Sequence, residues 1–189
     1  MKTSGQKKGK TGAAGVGLAA VVGAGAAALL RVMIPQYEGE VLRGYADPVG
    51  IATKCYGDTE NVEIGRLYSR EECLRSLEKR LADHAGPVAA CVPELAGYTD
   101  GEKAAAVSLA YNIGVEAFCR STAARKFRAG DRRAACAAFG MWNKAGGRVL
   151  PGLVRRRADE RRICESGLDA GVSRSDAGVS HLVNINLGD

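Results

Sequence analysis

The sequence predicts an α+β fold: a small β-hairpin lobe and a larger helical lobe, preceded by an N-terminal Ala/Gly-rich helix capable of entering a membrane. Three observations predict it. Asp47-Pro48-Val49-Gly50 is a turn that leads into the β-branched alternation of Ile51 to Tyr56. Ser69 with Glu72, and Thr99 with Glu102, each have capping-box spacing ahead of an apolar helical face. Gly12 to Leu30 runs 19 residues without a charge.

That uncharged run comes after a polar segment, residues 1 to 11, carrying Lys2, Lys7, Lys8 and Lys10. As one helix it would be about 28 Å long, close to the roughly 30 Å of a bilayer core. Eight Ala and five Gly leave three Val and three Leu to supply hydrophobicity, so insertion is marginal and reversible. Four lysines before it and Arg31 after it place the N-terminus in the cytoplasm and export the chain beyond Leu30. A cleaved signal peptide, a permanent anchor and a cytosolic Ala/Gly tail remain alternatives.

Arg31 to Tyr37, with Pro35, reads as a short connector into the hairpin. A helix then runs from Ser69 through Cys73, Leu77 and Leu81 to about residue 84, where Gly86-Pro87 interrupts it. Thr99 opens an Ala-rich helix, KAAAVSLAYNIG, apolar enough to be the buried centre of the helical lobe. Further helices are expected from Ser121 or Thr122 to before Gly130, and from Arg132 to Asn143. Gly146-Gly147 breaks the chain, and Pro151 lies in the first turn of a last helix ending near Glu165. From Ser166 onward no apolar period is sustained, so the domain is bounded at 31–167 and residues 168–189 form a flexible tail.

The last helix carries Arg155, Arg156, Arg157, Arg161 and Arg162 with Asp159 and Glu160 interleaved. A solvated face with intrahelical ion pairs is the default. The sharper alternative turns one or two arginines inward against a carboxylate or an anionic substrate.

With 189 residues the chain holds one domain and short appendages. Its 27 basic against 21 acidic residues, net +6, suit an anionic partner such as cell-wall polymer, membrane surface or nucleic acid. Cys55, Cys73, Cys91, Cys119, Cys136 and Cys164 are spread singly, and the chain has two histidines, so a zinc site is not expected; free thiols or three disulfides are. Six cysteines allow fifteen connectivities. Pairing on neighbouring elements favours Cys55 with Cys73, Cys91 with Cys119, and Cys136 with Cys164.

Glu38, Asp47 and Thr53 stand in the order E-x8-D-x5-T. Around them lie Glu38-Gly39, Tyr45-Ala46-Asp47, Gly50 and Tyr56-Gly57. Downstream come Ala110-Tyr111-Asn112-Ile113-Gly114, Phe118, Arg120-Ser121-Thr122, Trp142 ahead of Ala145-Gly146-Gly147, and Leu150-Pro151-Gly152-Leu153. In this order and with these gaps the chain resembles the phage-type lysozymes, glycoside hydrolase family 24, from Glu38 to about Gly167. Two positions depart from the commoner family turn: Cys55 stands where Gly is usual, and Asp58 where His is usual.

The resemblance implies a lysozyme-like fold and hydrolysis of the β-1,4 bond between N-acetylmuramic acid and N-acetylglucosamine in peptidoglycan. Such cleavage needs one carboxyl to protonate the leaving oxygen and an ionised one across the sugar. The resemblance gives the first role to Glu38 and the positioning of water to Asp47 and Thr53, an inverting arrangement. It implies substrate contacts from Tyr45, Tyr56, Asn112 and Arg156, with no cofactor, no metal and no nucleic acid, in a monomer.

An Ala/Gly-rich segment ahead of such a domain resembles the signal-anchor-release endolysins of phages of Gram-negative hosts. That class implies transient partnership with the host inner membrane through residues 12–30 and with the host export machinery. The enzyme would be held inactive facing the periplasm and later soluble there. The segment has no cysteine, so release is expected through refolding and not thiol exchange. Two rival readings are a wall-binding protein without turnover and a cytosolic nucleic-acid binder using the Arg-rich helix.

Overall fold

The computed structural model describes residues 17 to 176, with side chains as far as residue 168. Helices α1 (Leu18–Val22) and α2 (Ala24–Glu38) lead into a hairpin of β1 (Val41–Ala46) and β2 (Ala52–Cys55). Helix α3 (Arg70–Cys91) crosses to the helical lobe, which holds α4 (Asp100–Ile113), α5 (Val115–Arg120), α6 (Thr122–Arg128) and α7 (Arg132–Ala137). A second small hairpin, β3 (Lys144–Ala145) and β4 (Arg148–Val149), precedes α8 (Pro151–Asp176). The expected α+β layout of a hairpin lobe and a helical lobe is therefore present.

Both capping boxes form. The Ser69 and Thr99 hydroxyls accept from the amides of Glu72 and Glu102, whose carboxylates accept from the Ser69 and Thr99 amides at 2.8 and 2.9 Å. Each box satisfies two donors that a helix start leaves unpaired. Helix α4 is the centre: residues 104 to 110 are all buried. It lies so close to α8 that a Cβ on Gly101 would stand 2.3 Å from the Ile163 carbonyl oxygen.

The N-terminal segment departs from expectation. In place of one straight helix over 12–30, the described part is broken at Gly23, whose φ of 90° and ψ of 158° suit glycine. Residues 12–16 lie outside the described residues. Helix α2 then continues through the expected connector, Pro35 included, to Glu38. Leu18, Val22, Ala26, Ala27, Leu30, Met33 and Ile34 are buried, so the segment is part of the domain's core. No helix among the described residues is long and apolar enough to cross a membrane.

Two other boundaries move for the same reason, tertiary burial outweighing local propensity. Helix α3 passes through Gly86-Pro87 to Cys91 because Leu81, Ala85 and Val88 keep one buried face across the proline, and Val92 stays buried just beyond. Helix α8 continues to Asp176, past the expected end near Glu165 and into the expected tail; residues 177–189 lie outside the described residues. At Gly146-Gly147 the break is a turn: both glycines have positive φ, 55° and 77°, the handedness of a two-residue hairpin.

All three disulfides form with the favoured pairing: Cys55–Cys73, Cys91–Cys119 and Cys136–Cys164. The first ties β2 to α3, closing a separation of 18 residues, about 3 kcal/mol on chain-entropy grounds. Cys55 has a φ of 56°, a backbone region that glycine occupies without strain, which explains why glycine is usual there.

Candidate active site

Glu38 is the last residue of α2, and β1 opens three residues later, so the chain passes almost directly from this carboxylate into the hairpin. Its side chain is 24% exposed. It looks into a cleft of about 610 Å³ whose walls include Gln36, Tyr37, Asn112, Leu153, Arg155 and Arg156. Glu38, Asn112 and Arg156 are thus brought together from α2, α4 and α8.

Arg156 points inward. It is 5% exposed, and its Nη1 donates to Glu38 Oε1 at 2.7 Å. Its guanidinium lies over the Tyr37 ring, 4.7 Å from the centroid, and its Nη2 donates to the Ser108 carbonyl at 3.4 Å. The default of a wholly solvated arginine face is corrected for two residues: Arg156 and Arg157 are buried, while Arg155, Arg161 and Arg162 remain exposed. The reason is α4, whose small side chains let α8 approach closely enough to cover its inner arginines. Arg156 both lines the cleft and holds Glu38.

Asp47 and Thr53 share the turn of the first hairpin. Asp47 Oδ1 accepts from the amides of Val49, at 3.0 Å, and Ile51, at 2.8 Å. The Ile51 carbonyl accepts from the Asp47 amide at 2.9 Å and from the Thr53 hydroxyl at 3.0 Å. Asp47 is therefore more than a residue that precedes a proline: its carboxylate fixes the loop that presents it. Thr53 is 5% exposed and pairs across the ladder with the half-buried Tyr45. These hairpin residues do not line the 610 Å³ cleft beside Glu38.

Tyr56 does not face outward. It is 5% exposed; its hydroxyl donates to Glu40 at 2.7 Å, and its carbonyl accepts from the Tyr111 hydroxyl at 3.2 Å. It braces the hairpin against α4, with its hydroxyl taken up by Glu40. Burial raises the Tyr56 and Tyr111 phenols, keeping both as neutral donors. Asp58 is buried behind the hairpin, accepting from Ser76 and from the Glu60 amide at 2.9 Å, with Lys54 Nζ 3.5 Å away.

Sequence reasoning missed Glu160 and Ser108. Glu160 is fully buried and accepts from Ser108 Oγ at 2.6 Å, Arg156 Nε at 3.1 Å and Arg157 Nη2 at 3.0 Å. The i,i+4 spacing of Arg156 and Glu160 was the signal, but it has the same form on a solvated helix. No group of acidic, histidine and cysteine side chains suited to hold a metal occurs among the described residues.

A model of the family described as Phage lysozyme matches residues 35–160. The SAR-endolysin of Enterobacteria phage P21 is 36% identical over 154 residues, covering 78% of this chain and 92% of that protein. The muramidase domain of SpmX from Asticaccaulis excentricus is 28% identical with a TM-score of 0.66, covering 71% of this chain and 93% of that one. For fold alone, the active form of P1 phage endolysin Lyz gives a TM-score of 0.69 over 83% of this chain and 98% of that one, at 20% identity. Its secreted inactive form gives 0.51, over 78% and 97%, at 17%. A carboxylate closing α2, a hairpin with a bound turn aspartate and a helical lobe reaching back through Arg156 are thus found in a chain whose match extends over residues 35–160: it belongs to the phage lysozyme family.

Proposed function

We propose that this chain is an endolysin that hydrolyses the β-1,4 bond between N-acetylmuramic acid and N-acetylglucosamine in peptidoglycan. Glu38 gives its proton to the glycosidic oxygen as the C–O bond breaks. Water held by Asp47 and Thr53 adds to the sugar carbon from the opposite face, losing its proton to the Asp47 carboxylate. The observation that carries this reading is the half-buried Glu38 at the cleft, gripped by a buried arginine from another helix. Tyr45 and Asn112 contact the glycan, Asn112 from the wall of the cleft.

We further infer that residues 12–30 enter the host inner membrane, that the host export machinery places the domain in the periplasm, and that the tethered enzyme is inactive until the segment leaves the bilayer. The lysines ahead of the segment, its weak hydrophobicity and the likeness to the P21 SAR-endolysin support this. So does the burial of Leu18, Val22, Ala26, Ala27, Leu30, Met33 and Ile34, since the same apolar side chains cannot face lipid and fill the core at once. Leu30 and Glu38 share one helix, about 12 Å apart along its axis, so a membrane helix ending near Leu30 keeps Glu38 at the bilayer surface.

The test is expression in a Gram-negative cell and then collapse of the membrane potential. Wild type should move from membrane to soluble fraction and lyse the cells. Glu38→Gln should move likewise, fold and not lyse, and full lysis by it would sink the catalytic reading. Sugar binding by wild type without release of reducing ends would favour a binding protein.

A further inference from the structure

We propose that Glu160 is a positioning residue for Glu38, acting through Arg156: it fixes where the guanidinium points and offsets its charge. This rests on the reading of Glu38 as proton donor.

Arg156 is constrained on every side but one. Nε donates to Glu160 at 3.1 Å, Nη2 to the Ser108 carbonyl at 3.4 Å, and the Tyr37 ring covers a face, which leaves Nη1 directed at Glu38. Glu160 is itself anchored outside its own helix, because Ser108 of α4 donates to the same Oε1 at 2.6 Å. Its Oε2 lies 2.8 Å from Arg157 Nε. Arg157 Nε and Nη1 and Glu160 Oε2 are buried without hydrogen bonds, so this part of the pair is held by charge in a site closed to water.

The groups facing Glu160 are Arg156 and Arg157 from α8, Ser108 from α4, and the neutral Tyr37 phenol from α2; Asp159 and Glu38 complete the charges around Tyr37 and the arginines. Burial raises the Glu160 carboxyl on balance, although Arg157, Ser108 and Arg156 oppose it. Two guanidiniums donating to one oxygen at 3.1 and 3.0 Å are the geometry of a carboxylate, the ionised form on which the proposal rests. Two guanidiniums balance two carboxylates only while Glu38 is ionised. An acid must be neutral before it gives its proton. At that stage Glu160 is the buried carboxylate left against both arginines, and its charge lets a neutral carboxyl remain beside Arg156.

Removing that charge leaves the arginines acting undivided on Glu38 and favours loss of its proton. In Glu160→Gln the shape and the acceptor oxygen survive while the charge is gone. Kinetics on soluble peptidoglycan oligomers should show KM within about twofold of wild type, because substrate does not touch the residue. The alkaline fall in kcat should set in of the order of one pH unit lower. At a fixed pH on that limb kcat drops about tenfold. A merely structural role would lower the amplitude and the melting temperature while leaving the shape of the pH profile unchanged, and that result overturns the proposal. Should Glu160→Gln fail to fold, Ser108→Ala is read in its place: it keeps every charge, loses one donor to Glu160, and should shift the profile in the same direction by less. An unchanged profile there overturns the proposal equally. Glu38→Gln separates the two claims. If it stays active, the reading of Glu38 has failed; if it is inactive while the Glu160→Gln profile matches wild type, only the role of Glu160 has failed.

Discussion

Asp58 shows how single side chains hold the hairpin in place. Burial alone would raise its carboxyl, but the Ser76 hydroxyl, the Glu60 amide and Lys54 outweigh it and hold the group below the ordinary carboxylate range. A depressed folded value contributes stability that is present above the unfolded value, about 3.9, and is lost as pH falls through the folded one. Asp58→Asn should therefore destabilise the protein by about 2 kcal/mol at neutral pH. The gap from wild type should close as pH falls below about 4, as monitored by thermal melts across pH. A gap of constant size would refute the charge-based account. At this scale the sequence singled out Glu38, Asp47 and Thr53 as candidates, because spacing and neighbouring glycines are visible in a string of letters. It hid Glu160 and Ser108, the burial of Tyr56 and the grip of Arg156 on Glu38. An i,i+4 arginine–glutamate pair looks the same in water and under a packed helix, and a tyrosine beside a turn glycine does not say which way its ring faces.

Helices α1 and α2 are where element and function meet. Their apolar side chains occupy the core, yet an apolar cavity of about 390 Å³ remains where Val21, Val22 and Gly23 meet Ala85 and Val88 of α3 and Val107 of α4. The pocket is open to solvent, so α1 docks less firmly than α4, whose residues 104 to 110 are all buried. Amide hydrogen exchange should be about tenfold or more faster over residues 18–23 than over 104–110, by an opening that leaves the rest folded. Equal protection would mean that α1 unfolds only with the whole domain. Capping boxes and the Asp47 turn made the starts of α3 and α4 and the first hairpin legible, since these are local hydrogen-bond patterns. The passage of α2 through Pro35 and of α3 through Pro87 was not legible, because distant burial decided it. The hairpin at Gly146-Gly147 was half legible: the glycines marked a break, and their positive φ values make it a turn.

For the whole molecule, the proposed function asks one N-terminal segment to serve two environments. Net charge +6 favours an anionic wall, three disulfides suit an oxidising compartment, and the Cys55–Cys73 bridge secures the hairpin that carries Asp47 and Thr53. The fold is closer to the active than to the secreted inactive form of the P1 endolysin, with TM-scores of 0.69 and 0.51. In that fold α2 delivers Glu38 to the cleft, and its buried residues Ala26, Leu30, Met33 and Ile34 hold the helix there. The most direct measurement of the central claim is digestion of purified peptidoglycan by the released protein, with the products monitored by NMR from the first turnovers. Inversion of the β bond predicts new muramic acid reducing ends that appear first as the α-anomer, and none from Glu38→Gln. First appearance of the β-anomer, or undiminished release by Glu38→Gln, would contradict it.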